Sequence, residues 1–268
     1  RINLGYIHLW VTLLEQNHIY LRLNSEPPNP ILKKILCYPH FTDDIFSERL
    51  DELQSLQIDY FELQGPTVID GIHLLGKGTC GIVVKASSNN SSFALKIRRT
   101  DSPRLDLINE AKIQNIVNQF GIAPKILNFT KNFISMEFID GFILNDYIHK
   151  FQNNLVSDLR HIIADLLYQC FILDINGIDH GELSNLKKHV IITDYAHIID
   201  FDSASQTRKV SNLTSSAQYL FIGGPFSSYF QKIFSIDVNL LKTMLKNYKF
   251  NQNYDNFNNI LEFLDLHL

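Results

Sequence analysis

Apolar residues run in short alternating or continuous stretches through the first half of the chain and recur at three- and four-residue spacing through the second. Stretches 67–75, 82–86 and 93–97 read as three consecutive strands, the last two joined by the polar turn 87–92. A helix is expected over roughly 105–120, where Leu107, Ile108, Ala111, Ile116, Val117 and Phe120 make an apolar stripe. Residues 126–129 and 133–138 form a further hairpin that runs into Met136-Glu137-Phe138-Ile139-Asp140-Gly141. From 156 to 176, Leu159, Ile162, Ile163, Leu166, Leu167, Cys170 and Phe171 keep the spacing of a core helix, with Gly177 as its stop. Two short strands, 190–193 and 197–202, come next, then helices near 213–221, 236–248 and 257–266. The pattern predicts an α+β chain with a strand-rich first half, a helical second half and Gly141 as a hinge between them.

Residues 1–64 precede this series and read as an added extension, a hairpin plus a helix. The apolar segments 7–14 and 19–23 flank Glu15-Gln16-Asn17-His18, and Pro27-Pro28-Asn29-Pro30 then breaks regular structure. Phe46, Leu50, Leu53 and Leu56 recur at helical spacing behind Asp43 and Asp44, which suit a positive helix start. The extension is either a small recognition domain, of winged-helix type for instance, or a segment that packs on the domain after it. The expected division is thus 1–64, 65–140 and 141–268.

Gly76, Gly78 and Gly81 stand at G-x-G-x-x-G spacing, with Val83 two residues later and β-prone residues on both sides. Residues without Cβ let backbone N–H groups approach phosphates closely. A dinucleotide fingerprint would open a helix at the third glycine; here Ile82-Val83-Val84-Lys85-Ala86 continues as strand, which favours a phosphate-covering β-hairpin. Lys96 lies between Leu95 and Ile97 in the next strand, and Glu110 comes 14 residues later beside the helical stripe. Together they suggest a phosphate-binding lysine oriented by an ion pair. Asp200 follows an apolar strand, a position for a carboxylate aimed into a cleft as well as for an ordinary turn-former.

Composition narrows the classes. Lys and Arg number 24 against 28 Asp and Glu, a net charge of −4 that makes no case for nucleic acid or an anionic membrane, leaving the N-terminal extension as the one segment where a nucleic-acid contact is open. Cys37, Cys80 and Cys170 are far apart and form no C-x-x-C pair, which argues against a disulfide framework or structural zinc and suits a reducing, cytoplasmic setting. No apolar run reaches the length of a membrane span. Cys170 falls on the apolar stripe of its helix, as a structural thiol would; Cys80 sits at the tip of the glycine loop, where it is either a small filler or a redox thiol.

The order of parts is glycine hairpin, strand lysine, helix glutamate, hinge, long helix, the loop His180-Gly181-Glu182-Leu183, and a strand running into Asp200-Phe201-Asp202. This order resembles the protein-kinase-like two-lobe fold over roughly residues 67–205, with a β-rich N-lobe and a reduced helical C-lobe. Glu182 and Asp200 are 18 residues apart, as the catalytic and metal-binding acids of kinases are. The loop is most similar to that of the atypical archaeal-type Ser/Thr protein kinases, among them the RIO and KEOPS-associated kinases, which write His-Gly/Ala-Asp-Leu.

The resemblance implies an ATP-dependent phosphotransferase acting on a protein hydroxyl, with magnesium or manganese. Its nucleotide would lie on Gly76, Lys77, Gly78, Thr79, Gly81, Val83, Ala94, Lys96, Glu137 and Phe138. Lys96, oriented by Glu110, would hold the α/β-phosphates, Asp200 would bind the metal, and Glu182 would accept or orient the acceptor proton. Autophosphorylation or an ATPase switch fits the same parts; a nucleotide-binding pseudokinase scaffold and a small-molecule kinase are the alternatives.

Several residues depart from the family pattern. Glu182 replaces the usual Asp, displacing the carboxylate by about 1.5 Å. The second metal ligand, normally Asn, is either His189 or Asn185, and an imidazole there would favour manganese over oxygen-seeking magnesium. Lys187 and Lys188 are either γ-phosphate contacts or solvated loop lysines, and Asp202 replaces a glycine. Gly181 stands where regulated kinases carry an arginine that receives an activation-loop phosphate, and no Ala-Pro-Glu sequence comes after Asp202.

Overall fold

The structure is a computed structural model that describes residues 19–23, 28–89, 91–151 and 156–267. It is mixed α and β with antiparallel sheets, and it divides into two compact units: Arg1–Leu107 with Leu127–Phe138, and Ile108–Ile126 with Ile139–Leu268.

The first unit opens with β1 (Ile19–Arg22), α1 (Pro30–Leu36), α2 (Asp43–Ser55) and β2 (Tyr60–Leu63). The described partner of β1 is β2, with Leu21 opposite Phe61; the expected partner segment 7–14 lies outside the described residues. The proline run does not simply break structure. It starts α1, because Pro30 needs no N–H at the first helical turn and the Asn29 side chain accepts from Ile31 N at 2.8 Å. Thr42 caps α2 in the same way, accepting from Ile45 N.

The expected strand 67–75 is in fact β3 (Thr67–Ile69) and β4 (Ile72–Leu74), which pair with each other. Asp70 and Gly71 both take positive φ, 49° and 79°, so an Asp-Gly turn folds the run back on itself. Next come β5 (Gly76–Lys77), β6 (Gly81–Ser88) and β7 (Ser91–Arg98), and after an excursion into the second unit β8 (Ile126–Phe129) and β9 (Phe133–Met136) complete the hairpin expected there. The large sheet has the order β1-β2-β6-β7-β9-β8, with β5 also on β6. Ile82, Val84 and Ala86 of β6 stand opposite Ile97, Leu95 and Phe93 of β7, on the face that packs with Leu32, Leu36, Phe46 and Leu53 of α1 and α2. β1 and β2 therefore share one sheet, and α1 and α2 one core, with the glycine hairpin.

Arg49 is the largest fully buried side chain of this core. Its guanidinium donates to Leu36 O and lies 3.5 Å from Asn132 Oδ1, and burial lowers its pKa to about 10. Asn132 in turn is held by Glu52 through two 2.7 Å bonds, so α2 is tied to the turn between β8 and β9.

The second unit begins with α3 (Ile108–Asn118), shorter than the expected 105–120. Asn118 ends it: its Nδ2 reaches Ile122 O at 3.0 Å and its Oδ1 accepts from Ile126 N at 2.9 Å, turning the chain away. Leu105 and Phe120 fall outside the helix and are exposed. Then come β10 (Phe142–Ile143), α4 (Leu144–Phe151), α5 (Val156–Ile175), α6 (Leu186–His189), β11 (Val190–Ile192) and β12 (Ala196–Ile198). After these stand α7 (Asn212–Gln218), α8 (Ser227–Ile233), α9 (Val238–Phe250) and α10 (Tyr254–Phe263). The apolar stripe of α5 is buried as its spacing requires, and Gly177 closes it at φ 69°. Cys170 is fully buried on that stripe, 3.2 Å from Ser216 Oγ, and burial pushes its thiol far above the usual range. Strands β10, β11 and β12 form a small antiparallel sheet. Among the described residues, no helix is long and apolar enough to cross a membrane.

Candidate functional site

In the first unit, Gly76 and Lys77 pair with Val83 and Ile82, and Gly78 N bonds to Gly81 O at 2.8 Å, so Gly78, Thr79 and Cys80 form the tip of a tight hairpin. Cys80 is buried there. Val83 lies directly opposite Lys96, and Lys85 opposite Ala94. These residues share the sheet face that points away from the α1–α2 core, since side chains alternate along a strand. Lys96 is nevertheless 5% exposed. Its stem runs beneath Gly81: a Cβ there would stand 3.1 Å from Lys96 Cγ and Cε and 3.0 Å from Ile97 O. The absence of a side chain at Gly81 thus leaves room for the lysine below it.

The hairpin is held from outside by the segment after α1. Lys77 Nζ donates to Tyr38 OH at 2.7 Å and lies 5.1 Å from the ring centre, while the Arg99 guanidinium lies 5.4 Å from the same ring. Arg99 also donates to Gly78 O at 3.0 Å and forms a two-point pair with Asp101. The Asp101 pair holds the Arg99 pKa above its usual value. Glu137 is exposed and Phe138 half-buried at the end of β9; Lys85 Nζ stands 5.0 Å over the Phe138 ring and 2.8 Å from Glu62.

In the second unit, the loop after α5 is fixed by buried carboxylates. Asp174 accepts from Asn212 N and Nδ2, Leu213 N and Tyr248 OH at 2.8–3.1 Å. Its burial raises its pKa against those bonds. Asp179 receives Ser211 N and pairs with Arg208, whose Nη2 also donates to Ser203 O at 2.8 Å. Gly181, at φ 88°, lies under that arginine, where any Cβ would collide with Arg208 Nη2. Asn212 Oδ1 accepts from His180 N at 2.9 Å. The His180 ring is fully buried, its Nε2 donates to Ile199 O at 3.0 Å, and desolvation, aided by His189, lowers its pKa to about 4.

From this frame three side chains converge. Glu182, His189 and Asp200 each offer a ligand atom, and these atoms lie within 4.8 Å of one another. Glu182 comes from the loop before a single 3-10 turn (Leu183–Asn185), His189 from the end of α6, and Asp200 from the loop after β12. Glu182 Oε2 is 3.2 Å from His189 Nε2, and its Oε1 accepts from Ser203 Oγ at 3.1 Å, an atom also 3.1 Å from Asp202 Oδ1. Asp200 is held at φ 69°, a strained setting for a non-glycine residue that surrounding contacts must impose. His189 is buried, and neither its Nδ1 nor that of His180 has a hydrogen-bond partner, the two rings meeting edge to face at 5.3 Å. Two carboxylates and an imidazole within ion-binding reach, beside orphaned ring nitrogens, fit a divalent metal.

Of the two candidates for the second ligand, His189 joins Glu182 and Asp200, whereas Asn185 is exposed. Lys187 and Lys188 are exposed on α6. Asp200 does not follow its strand directly, since β12 ends at Ile198. Lys96 belongs to the first unit, and Glu110, 5% exposed in α3, to the second. Sequence reasoning passed over Asp174, Asp179, Ser203 and Arg208. Asp174 carried a signal, a carboxylate three residues after Phe171 on an otherwise apolar stripe; the others depend on loop paths.

No protein-family model matches the chain. An uncharacterized protein of Methanocaldococcus jannaschii is 29% identical over 117 residues, which cover 42% of this chain and 98% of that protein.

Proposed function

We propose that the protein is an ATP-dependent phosphotransferase with a protein-kinase-like two-lobe arrangement, of the atypical Ser/Thr protein kinase type. The observation that carries this reading is the convergence of Glu182, His189 and Asp200. The glycine hairpin closed over the buried Lys96 stem adds to it.

In this reading the N–H groups of the hairpin and the Lys96 ammonium hold the phosphates of ATP, and Val83 and Ala94 offer an apolar surface to the base. Asp200 and His189 are the residues that would hold a divalent ion, which would supply charge neutralisation between the β- and γ-phosphates. Glu182 orients the acceptor hydroxyl; as the oxygen–Pγ bond forms and the bond from Pγ to the bridging oxygen breaks, the hydroxyl proton passes to its carboxylate and ADP leaves. Positioning and electrostatics do most of this work, so a frame as tightly tied as Asp174–Asn212–His180 suits it.

The test is movement of label from γ-labelled ATP with magnesium or manganese, in wild type beside Asp200→Ala, with circular dichroism to verify folding. Label in protein or in inorganic phosphate from wild type alone is the expected result. Equal turnover by the folded variant would sink the assignment, and labelled metabolites without labelled protein would move it to a small-molecule kinase. One observation favours a second reading, a nucleotide-binding scaffold: both oxygens of Glu182 are already engaged, by Ser203 and His189. That reading expects nucleotide binding with no loss of γ-phosphate.

A further inference from the structure

The net charge of −4 hides an uneven placement of charge along the chain. From Ser203 to Tyr254, six lysines and arginines stand against one acid, Asp237. We propose that the pocket where the end of α9 meets α10 and the segment before α7 binds single-stranded nucleic acid, its lysines holding phosphates and Phe250 stacking on a base. This binding goes beyond the phosphotransferase reading and does not depend on it. Every residue involved belongs to the second unit, and none is among those assigned to ATP or its metal.

A helical period places the lysines. Along α9, Leu241, Leu245 and Tyr248 are buried, and Lys242, Lys246 and Lys249 repeat the same spacing one residue later, which puts them in one exposed row. No Asp or Glu occurs within α9. Lys209, exposed in the segment before α7, lines the same pocket as Lys246 and Lys249. Among the described residues, none of these three enters an ion pair. A helix C-terminus by itself attracts cations, and Lys246 and Lys249 meet that need. It does not account for Lys209, which comes from elsewhere in the chain, or for an aromatic ring in the same pocket.

That ring is Phe250, the last residue of α9, which is 94% exposed. A single exposed apolar residue on a convex surface needs no explanation. This one lines a concave, open pocket of about 550 Å³ together with the three lysines and the amides of Asn247, Asn251 and Asn256. The floor is fixed. Asn253 Oδ1 accepts from Asn256 N at 2.9 Å to start α10, and Asn256 Nδ2 donates to Asn251 O at 2.8 Å. Gln252 Nε2 donates to Val210 O at 3.4 Å, and Arg208, next to Lys209, is paired with Asp179. A floor tied in this way spares a ligand the cost of ordering it.

The lining selects the class of occupant. Ammonium groups on flexible stems meet the phosphates of a strand and release its counterions. A phenylalanine ring offers any base a stacking face, and carboxamides carry both a donor and an acceptor for base edges. A paired helix keeps its base faces inside the stack, so the exposed ring serves only an unpaired strand. An acidic peptide would satisfy the lysines and leave the ring unused, and a bilayer is flat where this surface is concave.

The experiment measures fluorescence polarisation of a labelled single-stranded RNA of mixed sequence on the full chain, with the blunt duplex of the same sequence beside it and with salt varied. Three phosphate contacts give a log–log salt slope of about −2, so affinity for the strand should fall about twentyfold between about 50 and 200 mM salt. Replacing Lys209, Lys246 and Lys249 together by Ala should flatten that slope and cost at least about tenfold at low salt. Phe250→Ala should weaken binding at least about fivefold with the slope unchanged, a split that a merely structural role would not produce. Lys131→Ala, which removes an exposed lysine paired with Glu48 in the first unit, should bind as wild type does. All four substituted pocket side chains are exposed, and circular dichroism checks that the variants fold. Absence of binding, a wild-type slope near zero, equal affinity for the duplex, or wild-type affinity in either folded pocket variant overturns the proposal. Displacement of the strand by polyglutamate as readily as by unlabelled strand also overturns it and moves the pocket to acidic proteins.

Discussion

Gly81 lies over the methylene stem of Lys96, so closely that a Cβ at residue 81 would stand 3.1 Å from both Cγ and Cε. The third glycine of the hairpin therefore sets where the lysine runs. Gly81→Val should cost about 1–3 kcal/mol through overpacking and displace the ammonium. Urea unfolding beside a fluorescent-nucleotide titration checks both, with an expected affinity loss of about tenfold, the equivalent of about 1.4 kcal/mol. Wild-type affinity in the variant would mean that the lysine position does not matter for nucleotide.

A second glycine is constrained by an arginine. Gly181 combines φ 88° with the guanidinium of Arg208 directly above it. Gly181→Ala should destabilise by about 1–3 kcal/mol. Adding Arg208→Ala should recover part of that loss, so the double-mutant cycle should show a coupling of at least about 0.5 kcal/mol. Strict additivity would show that backbone strain alone accounts for the glycine.

Much of this was legible from local pattern. The α5 stripe, the α2 start at Asp43 and the strand continuation after Gly81 arise from spacing and turn chemistry that act within a few residues. The Asp70-Gly71 turn is equally local, but it sits inside an apolar run whose continuity masks it. The features that were not legible depend on distant partners. Tyr60–Leu63 is a strand because β6 offers it an edge, and nothing in those four residues announces that. That His189 and not Asn185 lies beside Glu182 and Asp200 depends on the 3-10 turn followed by α6, which leaves Asn185 in solvent and carries His189 inward.

The buried His180 makes stability depend on pH. Its folded pKa is about 4, below the ordinary value of about 6.5 that the unfolded chain recovers. The unfolded state therefore binds the extra proton between these values. The contribution is fully present above pH 6.5 and is lost as pH falls toward 4, by about 3 kcal/mol in total. Urea unfolding of chelated protein across this window should show the slope, and His180→Gln should flatten it. An identical slope in the variant would assign the effect to other groups.

Tyr38 joins the segment after α1 to the glycine hairpin through Lys77 and Arg99. Tyr38→Ala should leave stability within about 1 kcal/mol while weakening nucleotide binding about three- to tenfold, and Tyr38→Phe should fall between. Nucleotide titration of the three proteins is the measurement. Equal affinities would show that the hairpin keeps its shape unaided.

The antiparallel pairing of β2 with β6 has a consequence for how the chain can be cut. A fragment starting at Gly65 would strip β6 of its neighbour and uncover Val84, Ala86 and Leu95, which Leu32, Leu36, Leu53 and Phe61 now shield. The glycine hairpin hangs from that same strand. Removal of α1, α2 and β2 would therefore take away the support of the hairpin together with the cover of the core.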